Sequence, residues 1–358
     1  MASKLKFDGE RPNEMPQKTR DWLVAERKSL GCEVKVDQMG NIFAIRPGSA
    51  DRMPIAMGSH MDRQPAGGRY DGIHGIQAAL EVLRTLDENN IITRCPIALI
   101  DWTNEEGARF PGATMASGVW STKSSTGLEA CWATQDKEGV LMKQALEDIG
   151  YLGETKCDYR ENGLDIGVVT SVQGIKWFAV RVAGVEGHSG TTTPMPGGSD
   201  ALVTTSRLIT AVFDAALKTE LAVATVGVIK SDTSNIRCST DPVPFDGIIS
   251  EEANGTSYTI QKTWGLPESV FHPNCIDAVR AAALQSMSED QIMVMKSRAC
   301  HDSAWTSRIC PTSMIFVPSK EGISHSPNEC TSPEHCSLGA QVLLDSVLFN
   351  DQRVKEGN

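Results

Sequence analysis

The sequence predicts an α/β protein: a domain built on a mixed sheet, interrupted by a smaller α+β domain. Three observations carry this. Two apolar runs, PIAMGSHMD and PIALIDWTNEEG, each end abruptly in ionisable residues, as buried strands do when they deliver functional groups to one sheet edge. A helical pattern over residues 71–90 lies between them, giving a local strand–helix–strand unit. Near residue 175 the pattern changes to strand, helix, several strands, helix, the order of an α+β unit. The simplest partition is an α/β domain over 1–175 and 291–358, with 176–290 inserted.

Taken in order, residues 12–30 read as an amphipathic helix with Trp22, Leu23, Ala25 and Leu30 on its apolar face, stopped by Gly31. CEVKVDQMGNIFAI alternates as two strands around a Met-Gly-Asn turn. Residues 137–149 read as a further helix. In the inserted part, KWFAVRVAG is a strand and residues 200–217 a helix. LAVATVGVIKSD, SNIRCST and TSYTIQKTWG are strands, and 274–287 is a helix. QIMVMKSR and TSMIFVPS read as short buried strands, and a helix over 333–349 closes the chain.

The formal net charge of −11, with no concentrated Lys/Arg block, argues against nucleic acid as a partner. No apolar run approaches the roughly 20 residues that cross a bilayer, and the first residues lack the apolar core of a secretory signal. The ten cysteines are scattered, with Cys330 and Cys336 the closest pair, and read as free thiols of a reducing compartment. The expectation is a soluble cytoplasmic protein acting on a small molecule.

Three polar clusters can carry chemistry. In GSHMD, His60 and Asp62 are two residues apart, so on an extended segment both face one way. A carboxylate there can take the imidazole's second N–H and sharpen its other nitrogen as a metal ligand. Asp71 follows a GGRY turn at a helix start; an N-cap role for Asp71, and a hydrogen-bonded strand end for His60, are the plain alternatives. In NEEG, Glu105 and Glu106 repel each other unless a cation or shared proton offsets the repulsion; a solvated loop pair is the alternative. One of the two can bind metal while the other serves water as general base. In ISHSP, His325 follows an apolar run and can reach the same edge. His301-Asp302 repeats the His–carboxylate pairing, for a supporting or substrate-facing role, and His188 sits in a polar loop of the inserted domain. His60, Asp71, Glu106 and His325 form a mixed N/O set suited to Zn²⁺, Mn²⁺ or Co²⁺. A shared carboxylate permits two metals. Phosphate-loop and serine-hydrolase signatures are absent.

The stretches GSHMDRQPAGGRYDGIHG, TNEEGARFPGATMASGVW, DIGVVTSVQGIKWFAVRVAGVEGHSGTTTPMP and MIFVPSKEGISHSPNE resemble, in order, the M20 metallopeptidase superfamily. Within it they resemble the hydantoinase/carbamoylase branch of N-carbamoyl-L-amino acid amidohydrolases, beta-ureidopropionases and allantoate amidohydrolases. The resemblance implies a zinc-peptidase-like catalytic domain, a lid domain that also forms a homodimer, and hydrolysis of carbamoyl, ureido or related amide C–N bonds. It implies two divalent metals. His60 would be terminal ligand of one, Asp71 the bridge, and Glu106 and His325 ligands of the other. Glu105 would be general base, Asp62 support for His60, His188 the lid histidine, and Gln173 and Asn235 substrate contacts.

Two departures stand beside this. The branch's His-Ile-Glu-Gln-Gly-Pro segment, whose histidine completes the His60 site, is missing: the chain runs YLGETKCDYRENGLDIGVV, where Cys157 and Asp158 are the nearby donors. Where the branch carries a carboxylate-binding arginine, this chain reads VPFDGIISEEANG, with Ser250 or Glu251 near that place. A catalytically silent dimeric binding protein and an aminoacylase- or peptidase-like amidohydrolase are therefore the competing functions.

Overall fold

The site strand owes its place to its composition. Ile97–Trp102 (β4) is buried at every position, which suits a strand covered on both faces. In the computed structural model the described residues are 17–162, 171–184, 200–218, 223–231, 235–240 and 256–353. They divide into two units, Met1–Val172 with Ser269–Asn358, and Gln173–Glu268.

In the first unit, helix α1 (Gln17–Ser29) leads into β1 (Glu33–Val36), β2 (Ile42–Arg46) and β3 (Ile55–His60). Then follow α2 (Ile73–Glu88) and β4. The sheet order is β1-β2-β4-β3. β1/β2 and β2/β4 are antiparallel, and β3/β4 is parallel with His60 opposite Trp102. The parallel pair requires the α2 crossover, and it brings the ends of β3 and β4 to one edge. Helix α2 buries Ile76, Leu80, Leu83 and Leu86 against Ile55, Met57, Ile97 and Leu99; each large side chain contributes about 1.5–3 kcal/mol. On the other face Phe43, Ile100 and Trp102 pack with Phe110, Trp120 and Leu146.

Short helices α3 (Met115–Trp120), α4 (Leu128–Trp132), α5 (Met142–Asp148) and α6 (Tyr159–Asn162) follow, and β5 (Ser171–Val172) pairs later with β10 (Ser269–Val270). The second unit holds β6 (Ile175–Ala183), α7 (Ala201–Lys218), β7 (Val226–Ser231), β8 (Asn235–Thr240) and β9 (Ser257–Leu266). Its antiparallel sheet runs β7-β8-β6-β9, with Leu208 and Val212 of α7 on Val180 and Val182. The chain then returns to the first unit through α8 (Pro273–Ser286), α9 (Ser303–Thr306) and α10 (Pro333–Arg353).

The mixed sheet and the separate α+β unit are as the sequence predicts; four details differ. The second boundary falls at Glu268 rather than 290, because Ala282 and Ala283 of α8 pack on Val342 of α10. The buried stripe of α1 is Arg20, Leu23 and Arg27, while Ala25 faces out. The expected helix over 137–149 is the shorter α5, its first residues forming a turn closed by Asp136, which accepts from the Glu138 and Val140 amides. Residues 291–296 and 313–319 form no strands. Met293 is 81% exposed, and Ile292 and Ile315 pack on the α8–α10 cluster instead of joining a ladder.

Candidate metal and catalytic site

The edge where β3 and β4 end gathers four acidic side chains and three imidazoles. His60, the last residue of β3, is buried, and its Nδ1 lies 2.9 Å from the Asp62 carbonyl oxygen. A carbonyl only accepts, so Nδ1 carries the proton and Nε2 offers its lone pair, the tautomer of a metal ligand. The Asp62 carboxylate was expected to take that proton. It stands 3.7 Å away and accepts instead from the amides of Glu105 (3.2 Å) and Glu106 (3.0 Å). Asp62 thus ties the end of β3 to the turn after β4.

That turn is built by Asn104. Its φ of 56° is left-handed, tolerated by asparagine, and its Nδ2 donates to the carbonyls of Phe110 and Gly112, each at 3.1 Å. The two glutamates that follow are both buried. Glu105 places Oε2 3.6 Å from His60 Nε2 and Oε1 3.9 Å from His301 Nδ1. Glu106 places Oε2 3.4 Å from His325 Nε2 and accepts from Gln64 Nε2 at 2.9 Å. Asp71 does not cap α2 with its side chain; its Oδ2 is 3.2 Å from His325 Nε2. Gly72 is obligatory beside it. Its φ is 60°, and a Cβ there would lie 2.4 Å from the His60 ring.

Two donor groups result: His60, Glu105 and Glu106, and Asp71, Glu106 and His325, the donor atoms in each within 4.8 Å of one another. The carboxylate common to both is Glu106, whereas the resemblance gives that place to Asp71, whose oxygen turns toward His325. The electrostatics fit a cation site. Burial, then the charges of Asp62, Glu106 and Asp71, push the Glu105 carboxyl well above its ordinary range. Burial, with Asp71 beside it, pushes Glu106 up to about 7. Burial opposes the ionised form of Asp71 too, but the His325 contact holds its carboxyl below the ordinary range. Glu106 Oε1 is buried with no hydrogen-bond partner among the described residues, and Asp71 Oδ2 faces only the His325 imidazole among them. Oxygens in that condition suit a hard or borderline divalent ion.

His301 Nε2 contacts Ser297 Oγ at 2.8 Å, and burial lowers its ring pKa to about 4, leaving it neutral. Asp302 accepts from Ser117 Oγ at 2.5 Å and so supports α3 rather than touching His60 directly. Cys157 is not a replacement ligand: it is buried in the core, 3.7 Å from Asn41 Nδ2. Asp158 pairs with Arg160 at 2.9 Å. His188, Ser250 and Glu251 lie outside the described residues, as does the side chain of Asn235, whose backbone pairs with Ala183 in β8. Gln173 opens the second unit. Sequence reasoning missed Gln64, Asn104 and Glu329. The polar residues just beyond each ligand, in HMDRQ, TNEE and SHSPNE, were the signal available.

A carboxylate–imidazole cluster at the parallel edge of a mixed sheet, buried at His60, Glu105 and Glu106 and open to solvent at His325, with two potential cation positions, defines a metallohydrolase-type centre. The sequence match to peptidase family M20/M25/M40 spans residues 56–348, and the chain belongs to that family, in its hydantoinase/carbamoylase branch. It is 33% identical to an N-carbamoyl-L-amino-acid amidohydrolase of Rhizobium meliloti, over 90% of this chain and 86% of that one. It is 31% identical to one from Paenarthrobacter aurescens, over 91% and 88%. The crystal structure of a hydantoinase/carbamoylase family amidase from Burkholderia vietnamiensis superposes with a TM-score of 0.81 at 34% identity, covering 93% of this chain and 89% of that one.

Proposed function

We propose that the chain is a metal-dependent hydrolase of linear, non-peptide C–N bonds, with N-carbamoyl amino acids or related ureido compounds as substrates. The observation that carries this is the Asp71–Glu106–His325 group, with Glu106 buried, Asp71 half-buried and His325 exposed, set beside the buried Glu105. His60 with the shared carboxylate Glu106 would hold one divalent ion, and Asp71, Glu106 and His325 the other, Zn²⁺, Mn²⁺ and Co²⁺ all suiting these donors. When bound, such ions supply Lewis acidity and a nucleophilic water. Glu105 is the general base. Its raised pKa lets it take a proton from water and return it to the departing nitrogen, a contribution of about 10²–10⁴ in rate. Asp62 supports the turn that bears Glu105 and Glu106, and Asp302 supports α3. Gln173, Asn235 and His301 are assigned to substrate, and His188 to the developing oxyanion. The second unit serves as lid and homodimer interface, in a cytoplasmic enzyme.

One observation favours the silent-homologue reading: neither Cys157 nor Asp158 stands in for the histidine that the resemblance places beside His60. Aminoacylase- or peptidase-like action is the remaining alternative. Glu105→Gln tests the proposal, assayed on carbamoyl, ureido and acyl amino acids with metal content measured alongside. Turnover of a ureido substrate, abolished by the substitution at unchanged metal content, is expected. Turnover confined to acyl amino acids, or absent throughout in the metal-loaded chain, overturns it.

A further inference from the structure

We propose that Glu329 is a positioning residue that fixes His325 against Asp71 by hydrogen bonds to two loops, an inference that rests on reading Asp71–Glu106–His325 as a metal site. The two facing donors come from loops some 250 residues apart in the chain, and each loop needs a reason to hold still. Glu329 is buried, 7% exposed, between them. Its Oε2 accepts from the His325 amide at 3.1 Å and the Gly68 amide at 3.3 Å, and Oε1 accepts from Ser324 Oγ at 3.4 Å. Its own carbonyl accepts from the Arg69 amide at 2.8 Å, and the Arg69 carbonyl accepts from the Thr331 amide at 2.8 Å, a short parallel bridge between the loops.

His325 needs such a clamp. Its φ of 55° is left-handed, a conformation that costs energy in a residue with a side chain and is held here by its surroundings. The amide that Glu329 binds belongs to that same residue, so the carboxylate sets the backbone from which the imidazole extends. On the other side, Gly68 is three residues before Asp71, and a Cβ on it would meet Glu329 Cβ at 2.4 Å. Glycine at that position is what lets Glu329 approach the loop. Glu329 offers no atom to either donor group, so its action on a metal runs through His325 and the Asp71 loop.

The test is titration of metal-free protein with Mn²⁺ against a competing chelator, on wild type, Glu329→Ala, Glu329→Gln and Gly68→Ala, with cooperative unfolding of each metal-free variant as the folding control. The His325 equivalent is identified as the one lost in His325→Ala. Glu329→Ala is expected to weaken that equivalent about 10–100-fold and leave the other near its wild-type affinity. Glu329→Gln keeps a side-chain oxygen for the two amides and recovers most of the loss. Gly68→Ala, which displaces the Glu329 side chain, weakens the same equivalent should Glu329→Ala fail to fold. Wild-type affinity in Glu329→Ala, equal weakening of both equivalents, or a Gln variant as weak as the Ala variant overturns the positioning role while the metal reading stands. A wild-type chain binding no metal overturns both.

Discussion

Strand β4 and the turn after it carry buried carboxylates in two places, and the chain treats them differently. Asp101, fully buried and with no hydrogen-bond partner for either oxygen among the described residues, lies in the field of Arg20 and Arg27 from α1. Arg27 is fully buried, and burial lowers its guanidinium pKa to about 10. Glu105 and Glu106, a few residues on, face imidazoles: His60, His301 and His325. Burial raises the carboxyl pKa in both places. At the first, the chain supplies its own permanent cations. At the second it supplies ligands whose lone pairs and charges call for a cation from solution. The difference separates a structural charge cluster from a site.

The largest effect belongs to the second place. His325→Ala is expected to remove one metal equivalent and lower turnover by at least about 10²–10³, because it also leaves Asp71 and Glu106 facing each other unscreened. Full metal content and activity would show that the histidine is only a neighbour. Arg27→Met breaks the first place without touching the second. Removing one partner of a buried charge cluster costs about 3–5 kcal/mol, read as a lowered urea midpoint, with metal content per folded chain unchanged. Metal loss in Arg27→Met would mean that the two places are one network.

The smallest effect is in pH. The folded, metal-free chain holds the Glu106 proton up to about 7, against an ordinary value of 4.5. Between those values the folded state binds more protons than the unfolded, so this group makes stability fall as pH rises through the window, by up to about 1.4 kcal/mol per unit. Bound metal displaces the proton, so the difference between metal-loaded and metal-free unfolding free energies should widen toward neutral pH. Parallel pH profiles for the two forms would remove Glu106 from the ligand set.

Much of the fold was legible because periodicity and apolar runs report burial. β3, α2 and β4 were readable in this way, and with them the edge that bears His60, Glu105 and Glu106. Where polar groups do the packing, the pattern misleads. α1 turns Arg20 and Arg27 inward, Arg20 donating to the Gly40 carbonyl and Thr103 Oγ1 and Arg27 lying in the field of Asp101, so an apolar stripe through Ala25 was the wrong face. The IMVM run reads as a buried strand, yet no described strand pairs with it, and Met293 is left exposed. Within the site, residue types and spacing located the candidate donors but not the direction of their hydrogen bonds. Asp62 serves the Glu105 and Glu106 amides, and a main-chain carbonyl serves His60. Gln64 and Glu329 act through contacts between distant segments, which no local pattern encodes.

The central claim is that the carboxylates after β4 are matched by ions from outside the chain. It is tested most directly by elemental analysis of purified, metal-loaded, monodisperse protein. The account predicts two divalent ions per chain at saturation, the His60 position the weaker because neither Cys157 nor Asp158 completes it. A folded chain that retains no metal at saturating Zn²⁺ or Mn²⁺ would contradict it.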